Sequence, residues 1–345
     1  MKLSVAGLVA ASFLVGPDAR AQAKPDAEKV LNLYSARHYQ TDEALYDGFT
    51  KKTGIKINRI ELGDEPLLQR LRTEGAASPA DVILLVDAAR LWRAQVEGLF
   101  KPVQSKLLDD KIPARLRAND GTWYGLSTRA RVIVYNKAEI KPDDVATYEL
   151  LADPRNKGKV CTRSGSHPYM LSLIGSLVER NGEKATEDWA RGMVANMARP
   201  PRGGDTDQIK AVASGECGVA LSNTYYLARL MRSDDRKDKD LMSKIGLVWP
   251  NQKDRGTHVN IAGGAVAKNA PHPGNAQLFL EYLASPEAQR YFADGNNEWP
   301  VVKGAADDNP ALNAMGKFKA EDVPVSTIGK NQIAAQRILD RAGYR

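Results

Sequence analysis

The chain has 345 residues, a length that suggests about two domains. Its composition, 43% hydrophobic and 26% charged, is typical of a globular protein. Its formal net charge is +7, but no cluster of lysines and arginines with interleaved aromatic residues accompanies it, which argues against a nucleic-acid-binding surface. Beyond the N-terminal region, no apolar run approaches the roughly 20 residues that a membrane-spanning helix requires.

The N-terminus has the pattern of a cleaved secretory signal. Lys2 precedes an apolar run from Leu3 to Gly16, and Ala21-Gln22-Ala23 supplies the small residues that signal peptidase selects. The apolar run is too short for a stable membrane anchor. We therefore expect residues 1–23 to be removed and the mature chain to be exported, with a disordered or anchored N-terminus as the alternative.

Strand and helix patterns alternate along the first part of the mature chain. Apolar residues predict a strand at Val30–Ser35, a helix at Glu43–Lys52 and an alternating strand at Ile55–Ile60. The nearly continuous apolar run Ala80–Leu85 is typical of a strand that a parallel sheet buries on both faces. This alternation predicts the α/β class.

The later segments predict a second α/β lobe. Further helices are expected from Met170 and from Gln208, the latter capped by Gly203–Asp207. Two segments, Leu126–Val134 and Val248–Ile261, are predicted to cross between the lobes. We expect each lobe to hold a mixed, mainly parallel sheet flanked by helices. The predicted N-lobe comprises residues 24–130 plus about 256–305, and the predicted C-lobe comprises residues 131–255 plus about 306–345.

The stretch from Gly215 to Tyr226 joins an apolar strand to a helix. The strand Gly218–Leu221 runs into Ser222-Asn223-Thr224, whose side chains are predicted to cap the helix by accepting hydrogen bonds from its free N–H groups. Tyr225 and Tyr226 follow at once. They therefore lie where a strand ends and a helix begins, which is where ligands bind on open α/β sheets.

Other tyrosines occupy similar junctions. Tyr39 follows the first strand, and Tyr169 follows the strand that contains Cys161. A phenolate is a hard anionic donor with an ordinary pKa of about 10, so it binds a cation only when the metal displaces its proton. Fe³⁺ suits such donors, whereas Zn²⁺ and Cu²⁺ are more often held by imidazole or thiolate.

The sequence therefore predicts a ferric site built from tyrosines, to which His38 can add a nitrogen. The alternative is that these tyrosines only pack, with their hydroxyls pointing outward. The candidate metal ligands are Tyr39, Tyr169, Tyr225, Tyr226 and His38.

The two cysteines, Cys161 and Cys217, each lie eight residues before a tyrosine of interest. An oxidising compartment permits a disulfide, which would join the strands that lead to Tyr169 and Tyr225. Two buried free thiols are the alternative. Metal ligation is disfavoured, because no C-x-x-C motif or neighbouring histidine accompanies either cysteine.

Motifs of hydrolytic enzymes are absent from the sequence. It contains neither a G-x-S-x-G nucleophile elbow nor an H-E-x-x-H zinc helix. His258 and His272 lie in predicted loops and have no motif that pairs them with a nucleophile. We therefore predict a solute-binding protein rather than an enzyme.

Three segments resemble the bacterial periplasmic ferric-ion-binding proteins, the solute receptors of iron ABC importers: Asn32–Tyr39, Gly158–Ser164 and Ser222–Leu227. The resemblance extends over essentially the whole mature chain, and Asn223-Thr224-Tyr225-Tyr226 is its most specific part. It implies a two-lobed periplasmic-binding-protein fold of type II that closes on Fe³⁺. It also implies that Tyr169, Tyr225 and Tyr226, with one or both of His38 and Tyr39, hold the iron, and that an inner-membrane ABC permease receives it. We expect a monomer.

The chain departs from the branch of this family that uses an upstream His and Glu with bound phosphate. A synergistic anion such as carbonate is therefore left open. Four phenolates on Fe³⁺ carry one excess negative charge, which an arginine can offset, and Arg129 and Arg131 of the predicted crossover are candidates. Ordinary salt bridges are their alternative role. A receptor for another anionic or organic solute, and an exported metal-dependent enzyme, are the alternative functions.

Overall fold

The computed structural model describes residues 24–37, 41–305 and 308–345. The predicted signal at residues 1–23 lies outside the described residues, and so do the candidate ligands His38 and Tyr39. In the part of the chain that is described, no helix is both long enough and apolar enough to cross a membrane.

Helices and strands alternate along the chain as the hydrophobic periodicity predicts. The strands are β1 (Val30–Ser35), β2 (Lys56–Glu61), β3 (Val82–Leu85), β4 (Phe100–Lys101), β5 (Tyr124–Asn136), β6 (Val160–Cys161), β7 (Val219–Asn223), β8 (Ile245–Val248), β9 (Val259–Ala267) and β10 (Trp299–Pro300). The α-helices are α1 (Asp42–Thr53), α2 (Asp64–Glu74), α3 (Ala88–Val96), α4 (Lys106–Lys111), α5 (Pro168–Ala195), α6 (Asp205–Ser214), α7 (Thr224–Met231), α8 (Arg236–Lys244), α9 (Pro273–Leu283), α10 (Pro286–Asp294), α11 (Pro310–Ala314), α12 (Val325–Lys330) and α13 (Gln332–Ala342).

Helix α1 shows how local sequence sets an element. Leu45, Tyr46 and Phe49 are buried along one side of the helix, which is the spacing that a 3.6-residue period requires. Gly54 ends the helix with a φ of 71°, a left-handed conformation that glycine adopts without a steric penalty. The predicted helix Glu43–Lys52 falls inside the observed one.

The strands form two regions of mixed sheet that share β5. The first region has the order β2-β1-β3-β9-β5, and in the second β5 pairs with β7 and β8 while β6 continues from β7. Strand β1 is parallel to β2 and β3, and β6 is parallel to β7. Strands β5 and β9 are antiparallel to their neighbours. The sheets are mixed, as predicted, but among the described strands antiparallel pairs outnumber parallel ones, so the expectation of mainly parallel sheets is wrong. The reason is that β5 and β9 run in opposite directions through the crossover and supply most of the pairs.

Strand β5 is the first crossover between the two regions. Its residues 124–130 pair with β9, and residues 131–135 pair with β7. The chain returns between the end of β8 and the start of β9. Both predicted crossovers therefore coincide with segments that join the two sheet regions, and the predicted α/β class with crossover strands is confirmed.

The buried apolar side chains form separate cores on the two sides of the crossover. The first core draws on residues 31–126, 261–301 and 323–328, and the part of the molecule around it is here called the N-lobe. The others draw on residues 130–259 and 335–344 and define the C-lobe. Burial of each large apolar side chain contributes about 1.5–3 kcal/mol, so each lobe has its own source of stability.

Candidate metal centre

The tyrosine pair lies where β7 ends and α7 begins. Strand β7 ends at Asn223, and α7 starts with Thr224, so Tyr225 and Tyr226 occupy the first turn of the helix. Tyr225 is buried and Tyr226 is partly exposed. Their ring centroids are 4.2 Å apart. The pair therefore presents two phenols from one helix end, as the sequence predicts.

The polar residues before the pair do not cap the helix, so that prediction is wrong. Helix α7 has no side-chain cap. The side-chain oxygen of Asn223 instead accepts a hydrogen bond from Nη1 of Arg131 at 3.1 Å, and Oγ1 of Thr224 accepts one from the backbone N–H of Ala130 at 3.2 Å. Arg131 and Asn223 face each other across β5 and β7. Because β7 pairs with β5, these side chains form hydrogen bonds with groups of β5 and not with the free N–H groups of α7.

Tyr169 lies in the first turn of α5, which begins two residues before the predicted start. Pro168 occupies an initial position where its missing N–H costs nothing. Nδ1 of His167 accepts a hydrogen bond from the backbone N–H of Tyr169 at 3.2 Å. Burial, with Arg163 and Arg131 nearby, lowers the pKa of His167 to about 2. The imidazole is therefore neutral and can act as this acceptor.

The fold brings Tyr169 to the tyrosine pair. The hydroxyl oxygens of Tyr169 and Tyr225 are 3.0 Å apart, although the two residues are 56 positions apart in the chain. The ring of Tyr226 lies beside that of Tyr225, tilted by 33°. Three of the predicted phenol donors therefore gather at one point of the C-lobe.

Three arginines surround the ring of Tyr169. The guanidinium carbons of Arg129, Arg131 and Arg163 lie 5.6, 6.0 and 5.0 Å from its centroid. Burial raises the pKa of the Tyr169 phenol above its ordinary value, and Arg129 opposes this effect. Positive charge at this distance favours the phenolate form, which is the form that binds a metal ion.

Arg129 is buried in the crossover strand. Its Nη2 donates to the carbonyl oxygen of Val86 and lies 3.9 Å from Oδ2 of Asp87. Nε and Nη1 are buried without a hydrogen-bond partner among the described residues. Burial by itself would lower the pKa of Arg129, but the negative charge of Glu298 and the Tyr169 phenol raise it. The side chain therefore remains a cation beside the phenols.

Arg131 is also buried, and its charge is paired. Its Nη1 donates to Oδ2 of Asp205 and to the side-chain oxygen of Asn223. The two roles considered for the arginines, salt bridge and neighbour of the phenols, therefore coexist in Arg131. Sequence reasoning missed Arg163 and Asp205 as parts of this arrangement, although both lie in segments that the sequence singles out, Gly158–Ser164 and Gly203–Asp207.

A disulfide joins Cys161 to Cys217, with their Cα atoms 5.8 Å apart. Cys161 ends β6, and Cys217 lies two residues before β7. These strands are parallel neighbours, and both cysteines are buried. The bond therefore ties together the two strands from which the chain continues to Tyr169 and Tyr225.

The donors gathered here are phenols. Over residues 24–37, 41–305 and 308–345, no group of three His, Cys, Asp or Glu side chains is arranged to hold a metal ion. His272 makes contacts with Glu28 and Asp81. These residues precede β1 and β3, which are separated from the tyrosine-bearing region by β9 and β5 in the sheet order. Positions 38 and 39 remain predicted ligands.

Two α/β lobes joined by crossover strands, with polar and aromatic side chains gathered at strand ends, define a periplasmic-binding-protein architecture. The family described as bacterial extracellular solute-binding protein matches residues 44–320. The chain belongs to this family.

Three individual proteins are similar to this chain over most of its length. Iron uptake protein A1 of Synechocystis sp. is 47% identical over 329 residues, covering 95% of this chain and 91% of that protein. A Trichodesmium protein (IdiA, FutA), solved in complex with iron and citrate ligands, is 52% identical with a TM-score of 0.88 and covers 92% of this chain and 100% of that one. A ferric binding protein from Campylobacter jejuni is 39% identical with a TM-score of 0.87 over 91% of this chain and 100% of that one.

Proposed function

We propose that this protein is a periplasmic solute-binding protein that captures Fe³⁺ through tyrosine phenolates and delivers it to an inner-membrane ABC permease, without catalysing a reaction. The observation that carries the proposal is the 3.0 Å contact between the Tyr169 and Tyr225 hydroxyls. Tyr226 lies beside Tyr225, and three arginines lie within 6.0 Å of the Tyr169 ring centre. Relatives of similar length whose names refer to iron uptake and ferric binding support it.

Capture would begin on the C-lobe, because α5 and α7 carry Tyr169, Tyr225 and Tyr226 on that lobe. Fe³⁺ would displace the phenol protons. Tyr39 and His38 follow β1 of the N-lobe, and closure of the lobes would add Tyr39, with His38 beside it. Such closure is driven by the greater affinity of the ion for the closed state.

The arginines would balance the charge of the ferric site. Four phenolates leave one excess negative charge on Fe³⁺, and Arg129 lies within reach to offset it. The buried Nε and Nη1 of Arg129, unpaired among the described residues, also provide donors for a synergistic anion such as carbonate. Iron titration with and without bicarbonate distinguishes a site that needs the anion from one that does not.

The remaining features of the protein are proposed on the same basis. We propose that residues 1–23 are a cleaved signal and that the mature chain works as a monomer in the periplasm. The proposed lobes are residues 24–130 plus about 256–305 and residues 131–255 plus about 306–345. Within the second set, residues 323–328 pack with the N-lobe core, so the C-terminal segment contributes to both lobes.

The test is the visible spectrum of the iron-loaded protein before and after chelation. The wild type is expected to show a phenolate-to-iron charge-transfer band that chelation removes. The double variant Tyr225→Phe/Tyr226→Phe is expected to lose the band and most of its affinity, because each phenylalanine keeps the ring but removes the donor oxygen. Tyr291→Phe, on α10 of the N-lobe, is the matched control and keeps both.

A double variant with an unchanged visible spectrum would refute the tyrosine site. Calorimetry addresses the class of solute. The proposal predicts binding of ferric citrate and none of phosphate or small organic acids without iron. The opposite result would favour a receptor for an anionic or organic solute, in which the arginines contact the ligand.

A further inference from the structure

Helix α6 begins with a buried carboxylate that its own helix does not use. The sequence predicts that Gly203–Asp207 caps a helix beginning at Gln208, but the helix begins at Asp205. The side chain that caps it is Asp207, whose Oδ2 accepts from the backbone N–H of Gly204 at 2.8 Å. Asp205 is fully buried, and its two oxygens point to other elements.

The Asp205 carboxylate binds three groups of the candidate metal centre. Oδ1 accepts a hydrogen bond from Nη1 of Arg163 at 3.1 Å. Oδ2 accepts from Nη1 of Arg131 and from the backbone N–H of Asn223 at 2.7 Å. One carboxylate therefore connects two arginines with the last residue of β7.

Each of these partners lies close to a tyrosine of the site, either in space or in sequence. Arg163 and Arg131 lie 5.0 and 6.0 Å from the centre of the Tyr169 ring. Asn223 is two residues before Tyr225, at the end of the strand that precedes the tyrosine pair. No other aspartate or glutamate forms an ion pair with Arg131 or Arg163 in the described part of the chain. Asp205 is thus the carboxylate that anchors both arginines beside Tyr169, with Asn223 as a second, uncharged acceptor for Arg131.

We propose that Asp205 is a positioning residue for metal capture. Its carboxylate holds Arg131 and Arg163 beside Tyr169, and it fixes the backbone N–H of Asn223, two residues before Tyr225. It would not contact the ion itself. The inference rests on the proposed ferric function and identifies a residue on which the affinity of that site depends.

For Asp205→Asn, the loss of a negative charge and the loss of positioning predict opposite changes in metal affinity. Removal of a negative charge by itself favours the phenolate form of Tyr169 and would tighten metal binding. An asparagine, however, has one acceptor oxygen and one NH₂ group, so either Arg163 or the Arg131–Asn223 pair would face a donor instead of an acceptor. Weaker binding therefore indicates lost positioning.

The experiment compares Asp205→Asn with Asp207→Asn, the same substitution at an exposed position in the first turn of the same helix. Ferric affinity is measured by competition with citrate, at a temperature at which circular dichroism shows each variant to be folded. We expect Asp205→Asn to bind roughly tenfold to a hundredfold more weakly, in line with the loss of a hydrogen bond to a charged group. Its charge-transfer maximum should also move, whereas Asp207→Asn should match the wild type.

A double-mutant cycle with Arg163→Gln tests whether Asp205 acts through that arginine. Coupled residues give non-additive changes in affinity, so the double variant should lose less than the sum of the single losses. If Asp205→Asn does not fold, Arg163→Gln alone must lower the affinity and move the band. Unchanged or tighter binding by folded Asp205→Asn, additive losses, or wild-type binding by Arg163→Gln would each overturn the inference.

These outcomes are separate from failure of the proposed function. If the wild type and Asp207→Asn show no charge-transfer band with Fe³⁺, the ferric function is wrong. If both show the band and Asp205→Asn is indistinguishable from them in affinity and spectrum, only the role of Asp205 is wrong.

Discussion

Arg129 contacts groups of both lobes beside the phenols. From the crossover strand β5 it reaches the N-lobe at Val86 and Asp87, and its guanidinium lies 5.6 Å from the ring of Tyr169 on the C-lobe. Asp87 is fully buried. A buried charge is tolerated only when it is paired, so the arginine supports the fold even before any ion binds.

Replacement of Arg129 by glutamine should therefore destabilise the protein without iron. Breaking a buried ion pair leaves an uncompensated charge and costs about 3–5 kcal/mol. Urea denaturation of the apo protein measures the change in unfolding free energy. The control is Arg229→Gln, because Arg229 also lies over a site tyrosine, 5.9 Å from the Tyr226 ring, but is exposed. Equal stabilities of the two variants would contradict this account.

At the scale of elements, the pair of strands β6 and β7 supports the site. They are parallel neighbours, they precede the helices that carry the phenols, and the Cys161–Cys217 disulfide joins them. Strand β6 has only two residues, so few backbone hydrogen bonds hold it in place. The disulfide therefore adds a covalent link where the two-residue β6 offers few backbone hydrogen bonds to β7.

The double variant Cys161→Ala/Cys217→Ala should unfold at a lower denaturant concentration. The cysteines are 56 positions apart, and closure of a loop of that length is worth about 4 kcal/mol in the chain-entropy treatment. The charge-transfer band of the folded variant should persist, because the phenol donors remain. Reduction of the wild type should produce a similar loss, and an unchanged unfolding midpoint in both experiments would show that the bond adds no stability.

At the scale of the whole molecule, the lobes meet next to the phenols. Oγ of Ser172, on the same helix as Tyr169, donates to Oδ1 of Asp87 at 2.7 Å. The side chain of Asn260, on β9, donates to the other oxygen of Asp87 at 2.9 Å. Movement of one lobe relative to the other would therefore rearrange a small set of polar contacts beside the crossover strands.

Binding of iron should change the overall dimensions of the protein. If the N-lobe adds Tyr39 to an ion first held on the C-lobe, the iron-loaded protein is more compact than the apo protein. Small-angle X-ray scattering should then show a smaller radius of gyration after addition of ferric citrate. Tyr225→Phe/Tyr226→Phe, which lacks two donors, should show no change. Identical curves for the apo and iron-loaded wild type would exclude closure.

Much of the fold could be predicted from the sequence because the signals are local. Hydrophobic periodicity and glycine positions predict β1, α1 and β3 within a few residues, and they place Tyr169, Tyr225 and Tyr226 at strand-to-helix junctions. Phenol chemistry then indicates a hard, highly charged ion. These properties depend on residues that are neighbours in the chain.

Contacts between distant segments were decided only by the tertiary structure. The pairing of β7 with β5 directs Asn223 and Thr224 away from the helix that they were expected to cap. The same packing brings Tyr169 within 3.0 Å of Tyr225 and makes Asp205 a partner of two arginines instead of a helix cap. A polar side chain can satisfy its hydrogen bonds locally or across the fold, and the choice depends on which groups packing buries beside it. The sequence by itself thus indicated the residue types of the candidate metal centre, while burial and strand register determined which groups each of them contacts.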